Sequence, residues 1–344
     1  MLLCGSVSGA TGAVGNNSEN STARNKLEKI VVSRLAFYAS HFPDMDFVVL
    51  DTAGSVEKNM HALYRIVGED PVPLDYAHPE HLRHALLMST YIRIQILLQT
   101  DVGSATLFAP GKGAIARRKQ VCIVTLNPWV IAKNDAAATR HLLDLPEKTF
   151  DEIPRSRYLE HTSYLLFALD HEIYHCLDTS FNGPIPMSQQ THWGDYQMRR
   201  NEDGADAFAV LMQMKSHGRV TADTRTLKLI RGLTLLGKDP DHYTYPAIEA
   251  ALQVRPIKSK LNDVQSCFRV ATRIRNSVVG SYTDFLRFAA AEQQAMIKLG
   301  VSLDVCPFDS TGADPAIVDK LISKTRDAYR KLTGHPLPIP VSAD

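Results

Sequence analysis

The spacing of hydrophobic positions changes near residue 158, and this change predicts two parts with different secondary structure. In the first part, Asp46 to Thr52 (DFVVLDT) is a short apolar run that predicts a buried strand. Residues 105–128 predict two strands around a turn region rich in Gly, Pro and Lys. Helical periodicity covers 23–42, 55–67 and 78–101. The first part therefore combines helices with a small sheet.

After residue 158 the hydrophobic periodicity is almost entirely helical. Helices are predicted at 158–180, 196–217, 223–237, 245–254, 257–276, 281–299 and 314–333. A polar segment rich in Pro and Gly, residues 181–195, separates the first two of them. We therefore expect an α+β fold that is predominantly α. It would comprise a flexible tail at 1–24, a mixed lobe at 25–188 and a helical lobe at 189–344.

The composition is that of a globular protein, and it narrows the classes of partner. The 344 residues carry a formal net charge of +1, which predicts no attraction to nucleic acid or to anionic membranes. The apolar run at 85–99 is interrupted by Arg93 and Gln95 and does not predict a membrane span. The N-terminal residues form no clear signal peptide, so localisation stays open, with the cytoplasm slightly favoured over export.

The cysteine pattern gives a further expectation about the compartment. The five cysteines, Cys4, Cys122, Cys176, Cys267 and Cys306, are odd in number and contain no CxxC pair. This pattern argues against a disulfide framework and against a cysteine-ligated metal, and it mildly favours a reducing compartment. We interpret Cys176, which follows His175 directly, as a small buried apolar residue.

The apolar segment LLFALDHEIYHCLD, Leu165 to Asp178, contains the chemistry that indicates a function. His171 and His175 are four residues apart, so both imidazoles leave the same face of a helix. This HExxH pattern suits a tetrahedral zinc ion, and Glu172 would act as the general base on a water molecule. The alternative is a pair of core histidines that hydrogen-bond within the protein.

A second helix offers the third ligand that such a zinc ion requires. In NEDGADAFA, Glu202 and Asp206 are again four residues apart, among small and apolar residues. Glu202 could bind the metal, while Asp206 accepts the outer N–H of a ligating histidine and fixes its tautomer. Asp178 is a competing ligand, but its position on the same helix favours a supporting role beside His175.

The two motifs together resemble the gluzincins, zinc metallopeptidases with HExxH on one helix and ExxxD on the next. The resemblance covers Leu169 to Leu211 and implies a zincin-like fold, in which a small N-terminal sheet and the active-site helix precede a helical C-terminal lobe. It also implies Glu202 as the third ligand and Asp206 as the supporting aspartate. The separation between the motifs is longer than in thermolysin-like enzymes and shorter than in neprilysin-like ones.

The same resemblance implies a hydrogen-bond donor for the tetrahedral oxyanion in a later region. His242 and Tyr245 in DHYTYP are the candidates, and the alternative is that this segment only caps a helix and packs its aromatic rings. The strand in 117–129 is a candidate edge for an extended substrate, with a core hairpin as the alternative. Arg199 and Arg200 could meet a substrate carboxylate, although solvated arginines are commoner on helices.

Four further histidines do not predict a second metal site. His192 is interpreted as a loop histidine, with a place in the cleft as the alternative. His78, His81 and His84 are interpreted as a solvated helix face, because no carboxylate cluster accompanies them.

The leading expectation is therefore a zinc-dependent metallopeptidase that holds one Zn²⁺ per chain and takes a peptide or protein substrate. One alternative is an effector or toxin-type zinc protease, or another zinc amide hydrolase, with one specific target. A second alternative is a non-catalytic helical binding protein in which the metal is structural or absent. The sequence leaves the oligomeric state open.

Overall fold

The computed structural model describes residues 17–51, 102–109, 119–126, 135–143, 150–178, 192–303 and 308–338. Within these ranges the protein is predominantly helical and contains a small sheet, as the hydrophobic pattern predicts. The helices predicted at 55–67 and 78–101, together with His78, His81 and His84, lie outside the described residues. The division into a tail and two lobes stays a prediction.

The described sheet has three strands, β1 (Met45–Asp51), β2 (Val102–Ala109) and β3 (Lys119–Leu126), in the order β1-β3-β2. β1 is parallel to β3 and β2 is antiparallel to it, so that Cys122 of β3 pairs with Phe47 on one side and with Thr106 on the other. The middle of β3 is fully buried, as expected for a central strand. The prediction that this segment offers an edge to a substrate is therefore wrong for the described sheet, whose edges are β1 and β2.

Helices account for most of the described chain. They are α1 (Asn17–His41), α2 (Asp135–Leu143), α3 (His161–Leu177), α4 (Trp193–His217), α5 (Ala222–Arg231), α6 (Tyr245–Leu252), α7 (Ile257–Lys260), α8 (Val264–Val278), α9 (Tyr282–Lys298) and α10 (Pro315–Thr333). Among the described residues, none of these helices is both long and apolar enough to cross a bilayer.

Two predicted helices are divided in the structure. The helix predicted at 223–237 ends as α5 at Arg231 and is followed by a 3-10 turn, Thr234–Gly237. The helix predicted at 257–276 is interrupted between α7 and α8, because the Asp263 side chain accepts a hydrogen bond of 2.6 Å from the Ser266 N–H and caps α8. Hydrophobic periodicity continues across both interruptions, so spacing alone does not reveal them.

A close crossing of α3 and α4 sets the geometry of the interior. α3 is buried along most of its length, and its N-terminus is capped by Glu160, whose carboxylate accepts a hydrogen bond of 2.7 Å from the Ser163 N–H. At Gly204 of α4 there is no side chain, and the Tyr174 hydroxyl of α3 occupies the space that a Cβ would need. This contact lets two helices that carry the candidate ligands approach each other.

A buried ion pair attaches α1 to α3. Asp170, which is fully buried, accepts hydrogen bonds from Arg34 Nε at 2.7 Å and from Arg34 Nη2 at 2.5 Å. The Tyr38 hydroxyl donates a third, at 2.7 Å. Bidentate geometry and full hydrogen bonding offset much of the cost of burying this charge. Asp170 therefore joins α3 to α1.

The structure corrects the expectation that the cysteines form no disulfide. Cys122 in the centre of β3 and Cys176 in the last turn of α3 form a disulfide bond across a sequence separation of 54 residues. Sequence spacing shows only local pairs, whereas here the packing of α3 against the sheet brings two distant cysteines together. Cys267 is a free, buried thiol. The cysteine argument for a reducing compartment no longer holds, because disulfides persist mainly in oxidising ones.

Candidate metal centre

His171 and His175 present their imidazoles to the same point inside the protein. Their Nε2 atoms are 3.1 Å apart, and their rings are nearly perpendicular. Both side chains are buried, at 7% and 8% exposure. The helical spacing of four residues and the burial of α3 thus produce the arrangement that the HExxH pattern predicts.

Glu202 of α4 joins the two histidines. Its Oε2 atom lies 3.1 Å from His171 Nε2, and its Oε1 atom lies 3.5 Å from His175 Nε2. One ligand atom from each of the three residues lies within 4.8 Å of the others, so this buried group could hold a metal ion. The convergence of two separate helices on one point is the feature that the sequence motifs predict.

Asp206 fixes the orientation of His171. Its Oδ1 atom lies 2.7 Å from His171 Nδ1, one turn of α4 beyond Glu202. Because Nδ1–H donates to this carboxylate, the lone pair of Nε2 is directed at the cluster.

Two residues that the sequence reasoning missed hold Asp206 in turn. Arg231 at the end of α5 forms an ion pair with it: Nη2 donates to Oδ1 at 3.2 Å, and Nε lies 2.7 Å from Oδ2. The hydroxyl of Thr244 donates to the same carboxylate. Both residues are buried. Thr244 lies in the DHYTYP segment beside the predicted donors, but only the folded chain shows that it and Arg231 contact Asp206.

Burial and charge act in opposite directions on the pKa values of the cluster. Burial would raise the pKa of Glu202, but the charges of His242 and His175 hold it well below its usual range. Burial would lower the pKa of His171, yet Glu202 and Asp206 raise it to about 10. The carboxylates therefore stabilise positive charge at this point, whether a proton on His171 or a metal ion carries it.

The donor set fits a divalent transition metal. Two imidazole nitrogens and one carboxylate oxygen form the ligand set of many catalytic zinc sites, which leave a fourth position to water or substrate. The Nε2 atoms of His171 and His175 lie close to each other and to the carboxylate of Glu202. The three side chains therefore already present their ligand atoms to one point. Other divalent ions accept the same donors, so the donor set alone does not distinguish zinc from them.

His242 lies beside the cluster and Tyr245 does not face it. His242 Nε2 is 3.4 Å from Glu202 Oε2, and its Nδ1 is 2.7 Å from Asp239 Oδ2. The His242 side chain is 37% exposed, which marks the side on which solvent approaches the buried ligands. The hydroxyl of Tyr245 instead donates to Glu249 within α6, at 3.4 Å. Of the two predicted donors, the structure brings only His242 to the cluster.

Glu172 lies on α3 between the two histidines in sequence and is partly exposed, unlike its buried neighbours. The pKa of His175 is lowered, because burial and the charge of His171 outweigh the opposing charges of Glu202 and Glu172. The role of Glu172 as the general base stays a prediction.

Asp178 occupies the C-terminal end of α3. Its backbone N–H donates to Tyr174 O at 2.8 Å, and its carboxylate pairs with Arg275 of α8. This contact explains the burial of Asp178 without a metal. Its predicted support of His175 stays a prediction.

The remaining candidates have structural partners. His192 Nδ1 lies 2.9 Å from Asp195 Oδ2, and its ring packs against Phe308 with centroids 4.5 Å apart. Arg200 Nη2 donates to Asn276 Oδ1 at 2.5 Å. Arg199 is 2% exposed and is enclosed by the protein. The idea that Arg199 meets a substrate carboxylate is therefore wrong.

No protein-family model matches this chain, and comparisons with curated proteins and with solved structures also return no match. The similarity to gluzincins consequently rests on the residues themselves. The structure supports it in one respect, the buried group of His171, His175 and Glu202.

Proposed function

We propose that the protein is a zinc-dependent metallopeptidase. The observation that carries this proposal is the convergence of His171, His175 and Glu202 from two helices, with their ligand atoms within 4.8 Å of one another. Buried imidazoles and carboxylates are costly unless a cation or a proton joins them, so this three-donor cluster supports a bound metal ion. The zincin-like fold and the gluzincin relationship are parts of the same proposal.

In this mechanism the residues of the chain divide the work between binding and proton transfer. His171, His175 and Glu202 would hold the ion, which supplies Lewis acidity to the scissile carbonyl and to the attacking water. Glu172 takes a proton from that water and passes it to the leaving nitrogen. Asp206 keeps His171 in the tautomer that has a free lone pair at Nε2.

His242 would stabilise the oxyanion that forms when water attacks the peptide carbonyl. Asp239 accepts from Nδ1, and burial, which lowers the pKa of His242, is outweighed by Glu202 and Asp239, which raise it. The imidazolium form favoured by these carboxylates can donate from Nε2. Its partial exposure leaves room for a substrate beside it.

The position of β2 suggests where an extended substrate would lie. β2 is an edge strand of the described sheet, and it packs against α3, which carries the candidate ligands. An edge strand offers unpaired backbone N–H and C=O groups to an added strand. We therefore place the substrate backbone along β2 in this proposal, and not along β3.

A structural metal site is the second candidate, and one observation favours it. His242 Nε2 lies 3.4 Å from Glu202 Oε2, so a small movement could make His242 a fourth ligand and close the site. The two functions differ in the effect of His242→Ala. If His242 is a fourth ligand, the variant should lose much of its zinc affinity. If His242 is an oxyanion donor, the variant should bind zinc normally and have a lower kcat.

Metal analysis with matched variants tests the peptidase proposal. Wild-type protein should contain about one zinc ion per chain and should cleave members of a broad peptide library. Glu172→Gln should retain the zinc and lose about 10²- to 10⁴-fold in kcat. Glu249→Gln, the same change at a half-exposed glutamate of α6 that contacts Lys324, serves as the control and should cleave normally. Zinc binding without cleavage by any of the proteins would exclude the peptidase function.

A further inference from the structure

Arg199 belongs to the same face of α4 as the candidate metal ligand. It precedes Glu202 by three residues and Asp206 by seven, so the three side chains line one stripe of the helix. Arg199 is 2% exposed and is among the largest fully enclosed side chains of the described residues. A guanidinium at such a position must satisfy its donors inside the protein.

The Arg199 guanidinium is bonded to the loop that carries His242. Nη1 donates to the carbonyl oxygen of Pro240 at 2.6 Å, and Nη2 donates to that of Tyr243 at 2.5 Å. These two carbonyls lie on either side of His242 in sequence. The arginine therefore fixes the backbone before and after the histidine.

Two carboxylates hold the guanidinium itself. Nη1 also donates to Glu292 Oε1 of α9 at 2.9 Å, and Nε lies 3.6 Å from Asp203 Oδ2 of α4. Arg199 thus joins three parts of the fold: the α4 helix, the α9 helix and the loop before α6. Its planar group with several donors suits this task, and the single ammonium group of lysine does not reproduce it.

The loop has two internal backbone hydrogen bonds, and the Thr244 hydroxyl bonds its end to Asp206. Within it, the Tyr243 N–H donates to Pro240 O at 3.0 Å, and the Thr244 N–H donates to His242 O at 2.7 Å. The His242 ring is partly exposed, and the hydrogen bond that orients it at Nδ1 is accepted by Asp239 of the same loop. A loop of this kind keeps one conformation when its carbonyls are bonded to a rigid helix.

We propose that Arg199 is a positioning residue, which holds the Pro240–Tyr243 loop so that His242 faces Glu202 at the metal centre. The inference rests on the proposed function for its catalytic consequence. Its structural part, the clamp on the loop, is independent of catalysis and can be measured separately.

Hydrogen exchange of the loop amides tests the clamp without any activity measurement. Arg199→Lys should accelerate exchange in the segment 239–244 by about 10-fold or more, relative to amides of the α10 helix. Arg275→Lys is the matched control, because it makes the same change in another buried arginine–carboxylate pair, with Asp178. The control should leave loop exchange within about twofold of wild type. Equal acceleration in both variants, or none in Arg199→Lys, overturns the inference.

A double-mutant cycle tests the catalytic consequence. Arg199→Lys should retain one zinc per chain and lower kcat about 10-fold or more, and it should lower kcat by less than about twofold when His242 is already alanine. This non-additivity is expected because Arg199 acts through His242. For Arg275→Lys, the fold-change in kcat should instead multiply with that of His242→Ala. Multiplicative effects for Arg199→Lys would overturn the positioning role.

Two outcomes separate this inference from the proposed function. If wild-type protein cleaves no peptide, the peptidase proposal fails, and the hydrogen-exchange comparison alone tests whether Arg199 holds the loop.

If Arg199→Lys does not fold, Arg199→Gln replaces it in both experiments. Glutamine keeps an amide donor but loses the charge and the length of the arginine side chain. Accelerated loop exchange with retained zinc in that variant supports the inference, and unchanged exchange overturns it.

Discussion

Gly204 of α4 lies directly against the Tyr174 hydroxyl of α3, and a Cβ at position 204 would overlap that oxygen. This contact sets the distance between the two helices that carry the candidate ligands. Tyr174 is separated from His175 by one residue position and Gly204 from Glu202 by two. Any shift at the crossing therefore moves imidazoles and carboxylate relative to each other.

Gly204→Ala should destabilise the protein and weaken metal binding together. The added methyl group has to displace Tyr174 or separate the helices, which typically costs about 1–3 kcal/mol. We expect a similar fall in the free energy of unfolding and at least about a 10-fold weaker zinc affinity, since binding needs all three ligands. Chemical denaturation and a competition titration with a zinc chelator measure the two effects.

Gly194→Ala provides the control for that experiment. Position 194 is in the first turn of the same helix, and nothing lies within 4 Å of a Cβ placed there. Alanine should stabilise the helix by up to about 1 kcal/mol and leave zinc affinity unchanged. If Gly204→Ala resembled Gly194→Ala, the crossing would not limit the geometry of the centre.

The Cys122–Cys176 disulfide should contribute strongly to stability. It joins β3 to the last turn of α3 and closes a loop with a sequence separation of 54 residues. Loop closure of this length restricts the unfolded chain by about 4 kcal/mol. Cys122→Ala/Cys176→Ala should lower the free energy of unfolding by an amount of this order, and added reductant should have little further effect on it.

A second cysteine variant separates bond formation from core packing. Cys267 is buried and unbonded, so Cys267→Ala removes a thiol from the same core without removing a crosslink. Its cost should be only that of a small cavity, about 1 kcal/mol. Wild-type protein that gains no stability from oxidation, compared with the reduced form, would show that the disulfide is not formed in solution.

The two pairs of residues at the candidate centre could be predicted because local helix geometry places the members of each pair together. The four-residue spacing of His171 and His175, and of Glu202 and Asp206, places each pair on one helical face. Burial of such polar groups then requires a common partner. The convergence of the two helices was the only step that needed the folded structure.

The supporting residues could not be predicted, since their roles depend on how distant elements pack. Arg231 falls inside the helix predicted at 223–237, and solvent exposure was the commoner expectation for Arg199, yet both are buried against carboxylates. The central position of β3 and the disulfide at Cys122 depend likewise on strand order and on the packing of α3. Sequence periodicity carries no information about either.

Zinc affinity should rise steeply with pH through the neutral range. Burial lowers the pKa of His171, but Glu202 and Asp206 raise it to about 10, so the metal must displace a proton from this imidazole. Below that pKa, the affinity should increase about 10-fold for each pH unit. Asp206→Asn removes one of the carboxylates that raise the pKa, and it should flatten the dependence above neutral pH. Chelator competition between pH 6 and 8.5 measures both slopes.

The carboxylates around Arg199 should make the protein less stable as the pH rises. Burial raises the pKa of Asp203 to about 7 and that of Glu292 to about 8, and one guanidinium faces both groups. A carboxyl group whose pKa is higher in the folded state stabilises the folded protein through its bound proton. This contribution is complete below the pKa of the unfolded state and is lost as the pH rises through the pKa of the folded state. Stability should therefore fall between about pH 5 and pH 8.5, by up to about 1.4 kcal/mol per pH unit for one proton.

Glu292→Gln tests the origin of this dependence. The variant leaves an amide oxygen that can still accept from Arg199, but it removes one of the two charges that compete for the guanidinium. Burial still raises the pKa of Asp203 in this variant, but Glu292 no longer contributes a titrating carboxyl group. We expect the variant to lose stability less steeply than wild type from pH 5 to pH 8.5 and to be relatively more stable at the upper end. Parallel stability curves for the two proteins, measured by urea denaturation across this range, would assign the dependence to other groups.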